Sequence, residues 1–143
     1  MPLDAKVWLP PFQFMMQTMS VLYPKHPNDT TKKKYYAFIQ NLGLFISERP
    51  LGADFLKLLD QYPVTPYLSS RLSFMKWVHF INNKLLLKLG KKEVTFYDSL
   101  EEYYNAYKPK EMLDKEKFKH RRQYIQFAFI LTGICLILYF KGC

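Results

Sequence analysis

The histidines of this sequence, which most often serve in acid/base and metal chemistry, are too widely spaced to form a local motif. The three histidines are His26, His79 and His120. His26 lies between prolines in a predicted turn, and no two of the three have the one-turn spacing with which a helix presents metal ligands. We therefore expect no metal site.

Acid/base and phosphate chemistry also lack a recognisable arrangement. Glu101 and Glu102 are adjacent in sequence, so a helix places them on different faces. The five glycines are isolated, which excludes a glycine-rich phosphate loop. The run Ser69–Arg71 is able to cap a helix or to hold a phosphate at a helix N-terminus, and capping is the favoured interpretation.

Cysteine usage excludes thiol chemistry from most of the chain. The two cysteines are Cys135 and Cys143. Residues 1–122 therefore contain no disulfide, no thiolate metal site and no dithiol redox pair.

The formal net charge is +9, so the surface should favour anionic partners. Nucleic acid, anionic lipid and acidic protein all satisfy that condition. Lys32–Lys34 is predicted to lie on the solvated face of a helix, with a specific anion site as the alternative.

The elements that would position any site are predicted to be helices, because apolar residues recur at helical spacing and no stretch alternates with period two. The predicted helices are Trp8–Leu22, beginning at its prolines; a second capped by Asp29 or Thr30; a short third after Ser47–Gly52; Leu68–Leu89, ended by Gly90; and Asp98–Tyr107. The predicted fold class is all-α, a small bundle of four to five helices followed by a C-terminal transmembrane helix.

The C-terminal part of the chain carries the pattern of a membrane anchor. Tyr124–Phe140 is a run of 17 residues without charge, near the minimum that spans a bilayer, and a buried core helix is the alternative. A basic cluster precedes it, formed by Lys117, Lys119, Arg121 and Arg122. The predicted organisation is a helical domain at 1–107, a basic juxtamembrane connector at 108–122, a transmembrane anchor at 123–140 and a short tail at 141–143.

Three segments together carry a family resemblance. They are Trp8–Asp29, Lys32–Ile46 and Tyr67–Val94, the last containing a Ser-Arg pair, a tryptophan and the run NNKLLLKLGK. In order and spacing they resemble the Erv/ALR family of FAD-linked sulfhydryl oxidases, especially the short members of large DNA viruses. The resemblance covers residues 8–107 and implies a helical bundle that dimerises through its first two helices.

The chain departs from the family at the catalytic cysteines. Glu48 and Leu51 occupy the positions of the family's Cys-x-x-Cys motif. Neither side chain can attack a disulfide, because that step requires a thiolate. We therefore expect a protein of this fold that is not an enzyme.

The flavin-binding positions have changed as well. Leu9, Gln13 and Gln17 stand where the resemblance implies glycine, tryptophan and histidine, and Asn82–Leu86 replaces His-Asn-x-Val-Asn. Removing a polar partner from a buried site costs about 1 to 3 kcal/mol. We expect no FAD and a pocket filled by side chains, although some family positions persist: Trp8, Tyr23, Trp77, Asn83 and Lys91.

The resulting hypothesis is a catalytically inactive, tail-anchored protein that acts as a structural or scaffolding component of a virion, between the capsid and the inner membrane. Its expected partners are membrane lipid through residues 123–140, a second copy or a paralogue, and capsid or other virion membrane proteins. Its N-terminal domain would face the capsid or the cytosol. The alternatives are an active FAD-dependent thiol oxidase that uses partner cysteines, and a membrane-tethered nucleic-acid binder, which rests on charge alone.

Overall fold

The computed structural model describes residues 4–46 and 49–141, with the side chains of residues 49, 50, 110, 111, 113, 116 and 135–141 outside that description. Across the described residues it contains only helices, which confirms the predicted all-α class. The α-helices are α1 (Ala5–Leu22), α2 (Asp29–Leu42), α3 (Arg49–Gln61), α4 (Arg71–Lys88), α5 (Phe96–Asn105) and α6 (Lys110–Lys141). The chain divides into two compact units, Met1–Tyr103 and Tyr104–Cys143.

Helix α1 begins upstream of its prolines, whereas the sequence placed its start at them. Asp4 caps the helix by accepting a hydrogen bond from the Lys6 amide at 2.9 Å. Pro10 and Pro11 have no N–H, so the carbonyls one turn earlier lose their helical partners. Those carbonyls belong to Lys6 and Val7, which are exposed to water, and the helix therefore tolerates the prolines.

Two further helices begin at side-chain caps. Asn28, rather than the predicted Asp29 or Thr30, caps α2 by accepting from the Thr31 amide at 2.8 Å. Ser70 caps α4 by accepting from the Ser73 amide at 3.3 Å, so the capping interpretation of Ser69–Arg71 is confirmed and α4 begins at Arg71 rather than Leu68.

Helix α4 ends at Lys88, with Leu89 as its C-cap and Gly90 directly after the cap, where the sequence predicts the stop. The Lys91 amide donates to the Leu86 carbonyl and the Gly90 amide to the Leu87 carbonyl, both at 3.0 Å. This is the Schellman pattern, in which the residue after the cap takes a left-handed conformation. Gly90 has φ +69°, and glycine adopts that conformation without a Cβ penalty.

The core of the first unit forms where α1 and α3 pack against α4. Helix α2 packs against the short 3-10 helices Gly43–Phe45 and Thr65–Ser69. Its largest fully buried side chains are Trp77, Tyr23, Phe55, Phe74, Leu9 and Met16. Aromatic rings meet edge to face at its centre, with Tyr23 and Tyr35 centroids 4.7 Å apart and Tyr35 and Phe74 centroids 5.7 Å apart.

Helix α6 begins at Lys110, within the predicted connector, and runs without a break through the whole of the predicted anchor. The described part of its apolar sequence is exposed, including Tyr124, Phe127 and Phe129. Within the described part of the chain, no helix is long and apolar enough to cross a membrane, so the anchor predicted at 123–140 is not supported by the structure. The side chains of residues 135–140 within that prediction lie outside the description.

Candidate functional site

The start of α3 is where the resemblance implies a pair of reactive cysteines. Glu48 lies outside the described residues, but Leu51 is described and is only 5% exposed, within the core. The adjacent Gly52 packs tightly, since a Cβ there would lie 3.2 Å from the Ile46 carbonyl oxygen. The position therefore holds a packed aliphatic side chain and offers no nucleophile.

The second part of the candidate site is the junction of α1, α4 and α5, where the resemblance implies the flavin. Two glutamines on α1 cross-link it. Gln13 Nε2 donates to the Asn82 carbonyl oxygen at 3.1 Å. One turn later, Gln17 Nε2 donates to Ser99 at the carbonyl oxygen, 3.1 Å away, and at Oγ, 3.2 Å away. Side chains of α1 thus bond directly to α4 and α5.

Asn83 holds the loop between α4 and α5. Its Nδ2 donates to the Val94 carbonyl oxygen at 2.9 Å, and its Oδ1 accepts from the Val94 amide at 3.2 Å. The same Nδ2 lies 3.2 Å from His79 Nε2, one turn earlier on α4. The Asn83 side chain therefore satisfies both backbone polar groups of Val94, the N–H and the carbonyl, in place of a backbone partner.

His79 completes this junction. Its ring meets Phe96 edge to face, with centroids 5.5 Å apart. Burial lowers the pKa of His79 below its ordinary value, and it outweighs the opposing effects of the Val94 backbone hydrogen bond and of the Glu93 charge. The neutral ring is the form that accepts a hydrogen bond from Asn83 through Nε2.

The space left at this junction is too small for a dinucleotide. The cavity measures about 10 Å³ and is lined by residues that include Gln17, His79, Asn82 and Ser99. A cavity of that size admits one water molecule at most, whereas a pocket for even a drug-sized ligand needs about 300 Å³ or more. Asn82 Oδ1 is buried with no partner among the described residues. The residues present do not fit FAD.

Of the persisting family positions, Tyr23 and Trp77 form hydrogen bonds with backbone groups of the core. The Tyr23 hydroxyl donates to the Leu68 carbonyl oxygen at 2.8 Å, and Trp77 Nε1 donates to the Tyr62 carbonyl oxygen at 3.0 Å. Trp8 Nε1 is buried with no partner among the described residues, and Lys91 is exposed. Burial, with a smaller effect of the Tyr35 charge, raises the pKa of Tyr23. The hydrogen bonds of Tyr23 and Trp77 thus fix the 3-10 helix Thr65–Ser69 and the end of α3 against the core.

The basic cluster of the sequence prediction is exposed on α6, in the second unit, with Lys117, Lys119, Arg121 and Arg122 all open to solvent. Within the described residues, no group of three or more histidine, cysteine, aspartate or glutamate side chains is placed to hold a metal ion.

Two participants at the α1–α4–α5 junction were not found from the sequence. Ser99 and Val94 have no distinctive sequence context, and they contribute mainly backbone groups. No pattern of residue types reveals a backbone carbonyl as a partner, so only the folded chain identifies them.

The chain is similar to one curated protein and to several solved structures. A sequence named "Probable FAD-linked sulfhydryl oxidase", from Acanthamoeba polyphaga mimivirus, is 29% identical over 89 residues, which are 62% of this chain and 62% of that protein. This chain therefore matches only about three-fifths of the relative's length. No protein-family model matches the sequence.

The structural likeness is to a sulfhydryl oxidase fold. The crystal structure of the yeast Erv1 core superposes with a TM-score of 0.62 and 21% identity, covering 68% of this chain and 80% of that one. The FAD-binding domain of Erv1 from Saccharomyces cerevisiae gives a TM-score of 0.62 and 20% identity, covering 66% and 89%. Together with the viral relative, these similarities confirm the resemblance to the Erv/ALR family and establish the fold.

Proposed function

We propose that this Erv/ALR-like protein has exchanged the chemistry of its fold for internal packing, and that it acts as a noncatalytic structural component of a virus particle. The single observation that carries the proposal is the buried Leu51 at a cysteine position, in a sequence with no cysteine before Cys135. The viral setting is supported by the similarity to a mimivirus protein.

The loss of thiol chemistry follows from what the position can do. A sulfhydryl oxidase passes electrons from a substrate dithiol through a protein dithiol, and thiolate attack begins each exchange. An aliphatic side chain cannot take part in that exchange. Its burial at 5% exposure also leaves no path by which a substrate thiolate would reach it.

The loss of the flavin is supported separately, at the α1–α4–α5 junction. Gln13 and Gln17 donate to Asn82 and Ser99 across the space, and the remaining cavity is about 10 Å³. Opening it for a flavin would break these hydrogen bonds at about 1 kcal/mol each and would expose apolar surface to water.

Refolding the full chain with excess FAD tests both parts. After gel filtration we expect no visible flavin absorbance with the protein and no oxygen consumption in the presence of dithiothreitol. Stoichiometric flavin would contradict the closed junction. Oxidase activity would indicate a thiol route that does not use positions 48 and 51, and it would contradict the noncatalytic assignment.

The double variant Glu48→Cys/Leu51→Cys is the matched control, because it restores the two thiols at the family spacing. We expect it to remain colourless and inactive, since the junction still excludes the flavin. A gain of activity in this variant would show that the missing cysteines were the only defect.

We also propose that the chain dimerises through α1, with itself or with a paralogue. An apolar stripe on α1 recurs at helical spacing and faces solvent: Val7 is 74% exposed, Met15 41% and Leu22 70%, with Pro11 exposed between them. Such a stripe favours a helical partner over water.

The molar mass of the full chain, measured by light scattering, tests the proposed dimer through α1. Leu22→Asp should shift the mass towards one copy, whereas Leu72→Asp, at a 55% exposed position on α4, should not. Equal effects of the two variants would contradict a dimer through α1.

Membrane attachment through residues 123–140 is the remaining part of the proposal. It rests on the sequence, where residues 124–140 form an uncharged run preceded by a basic cluster. In a flotation assay, the full chain should rise with vesicles containing phosphatidylserine, and a chain ending at residue 109 should stay at the bottom. Flotation of the shortened chain would place the lipid contact elsewhere.

A further inference from the structure

A groove lies between α2 and the short 3-10 helix Thr65–Ser69, and the function proposed above does not use it. Its volume is about 280 Å³, and Lys32, Lys33, Tyr36, Thr65 and Leu68 line it. None of these residues takes part in the α1–α4–α5 junction, so the groove is independent of the loss of flavin and thiols.

The floor of the groove is apolar. Leu68 is 3% exposed and fixed in the core, while Tyr36 is 43% exposed and presents its ring to solvent. The Leu68 carbonyl oxygen accepts from the buried Tyr23 hydroxyl, which holds the 3-10 helix against the core. The floor is therefore preformed, and it offers contact area for one apolar side chain.

The rim of the groove is cationic. Lys32 pairs with Asp29 at 3.3 Å, but that carboxylate is 88% exposed and the pair is weak. Lys33 is exposed and makes no ion pair within the described part of the chain. Two ammonium groups beside an apolar floor fit a ligand that has carboxylates next to an apolar group.

The shape of the groove favours a peptide over a small molecule. Pockets for small molecules enclose about 300 to 1,000 Å³ and bury most of the ligand. At about 280 Å³ this groove falls just below that range. A peptide needs to bury only one side chain there, while its backbone and acidic flanks stay in solvent.

The net charge of the chain indicates what kind of peptide binds in the groove. A second copy of this protein carries the same net charge of +9, which opposes self-association at a lysine-lined groove. We propose that the groove binds an acidic segment of a different protein, with an apolar residue seated on Tyr36 and Leu68 and flanking carboxylates paired to Lys32 and Lys33.

A peptide array tests the proposal with the full-length protein. The probes are peptides of the form Glu-Asp-X-Glu-Asp, with X varied through the twenty amino acids. We expect retention at leucine, isoleucine and phenylalanine to exceed retention at glycine and serine on the order of tenfold, because only the former bury apolar area. No retention at any peptide, or retention independent of X, would overturn the proposal.

Neighbouring side chains supply the matched controls. Lys33→Glu should weaken retention about tenfold, whereas Lys34→Glu makes the same change in net charge outside the groove and should have little effect. Tyr36→Ser should remove the preference for apolar X, and Phe38→Ser, at a similarly exposed position on α2, should retain it. If the two lysine variants, or the two aromatic variants, lose retention equally, the binding is nonspecific. That result would overturn the proposal.

A lipid headgroup or a second copy of this chain in the groove would give different results from an acidic peptide. If Lys33→Glu and Tyr36→Ser abolish binding to phosphatidylserine vesicles but leave peptide selection unchanged, the groove is a lipid site. If Tyr36→Ser halves the mass by light scattering, a second copy covers the groove. Either result would refute the peptide assignment, and neither would bear on whether the protein oxidises thiols.

Discussion

Asn83 and Asn82 are adjacent on α4 and should respond to substitution in opposite ways. Asn83 makes two hydrogen bonds with Val94 and one with His79, whereas Asn82 Oδ1 is buried with no partner among the described residues. Asn83→Ala removes three hydrogen bonds. Asn82→Leu removes an unpaired acceptor and replaces it with a side chain of similar volume.

The magnitudes follow from those contacts. Three hydrogen bonds at about 1 kcal/mol each would cost about 3 kcal/mol, but water can reach the half-buried Val94, so we expect a loss of about 2 kcal/mol for Asn83→Ala. In a unit of this size that lowers the melting temperature by about 10 °C. Asn82→Leu should be neutral or stabilising by about 1 kcal/mol, because an unpaired buried acceptor costs about 1 to 3 kcal/mol.

Tryptophan fluorescence during urea unfolding measures both variants on the full chain. The two tryptophans, Trp8 and Trp77, both lie in the unit Met1–Tyr103, so the signal reports on that unit and not on α6. If both variants lose stability equally, or if Asn82→Leu is the more destabilised, the hydrogen-bonded junction described here is wrong.

Three further variants test the fold and its pH dependence. Tyr23→Phe leaves the buried Leu68 carbonyl without its 2.8 Å hydrogen bond and should cost about 1 to 2 kcal/mol in urea unfolding, while Tyr36→Phe, at an exposed position, should cost little. Gly90→Ala places a Cβ on a residue in the left-handed conformation, at φ +69°, and should lower the free energy of unfolding by about 1 to 2 kcal/mol. An unchanged midpoint of urea unfolding would argue against the Schellman ending of α4. Burial lowers the pKa of His79 below the ordinary value of 6.5, so the unfolded chain binds the proton more tightly. The contribution of neutral His79 to the free energy of unfolding is therefore complete above pH 6.5, and it is lost as the pH falls towards the pKa of the folded state. His79→Gln should make the free energy of unfolding less dependent on pH in this range.

The sequence predicted the helices better than it predicted their faces. Capping residues, prolines and Gly90 lie close to the ends that the structure shows, because these are local effects of a few residues. Helix α4 has apolar residues on several faces, however, and spacing alone does not tell which of them are buried. Leu72 is 55% exposed, whereas Phe74, Ile81 and Leu85 are fully buried.

The predicted chemistry divides in the same way. The absence of a thiol in residues 1–122 is a property of composition, so no fold can change it, and the replacement of the family's cysteines by Glu48 and Leu51 was readable from the sequence. The sequence also led us to expect that side chains fill the cofactor space, but it did not identify their contacts. Leu85 is fully buried, and Gln13, Gln17 and Asn83 form polar cross-links at the junction.

By itself, then, the sequence determined an all-helical chain with an Erv/ALR-like order of segments, a strong positive charge and no nucleophilic sulfur before Cys135. Those features depend on residue type and on short-range spacing. Only the tertiary structure decided that Gln17 meets Ser99, 82 positions away, and that Lys33 and Tyr36 share a groove with Thr65. Such contacts arise from the way α1 crosses α4 and α2 meets the 3-10 helix, and packing of the whole core sets those crossings.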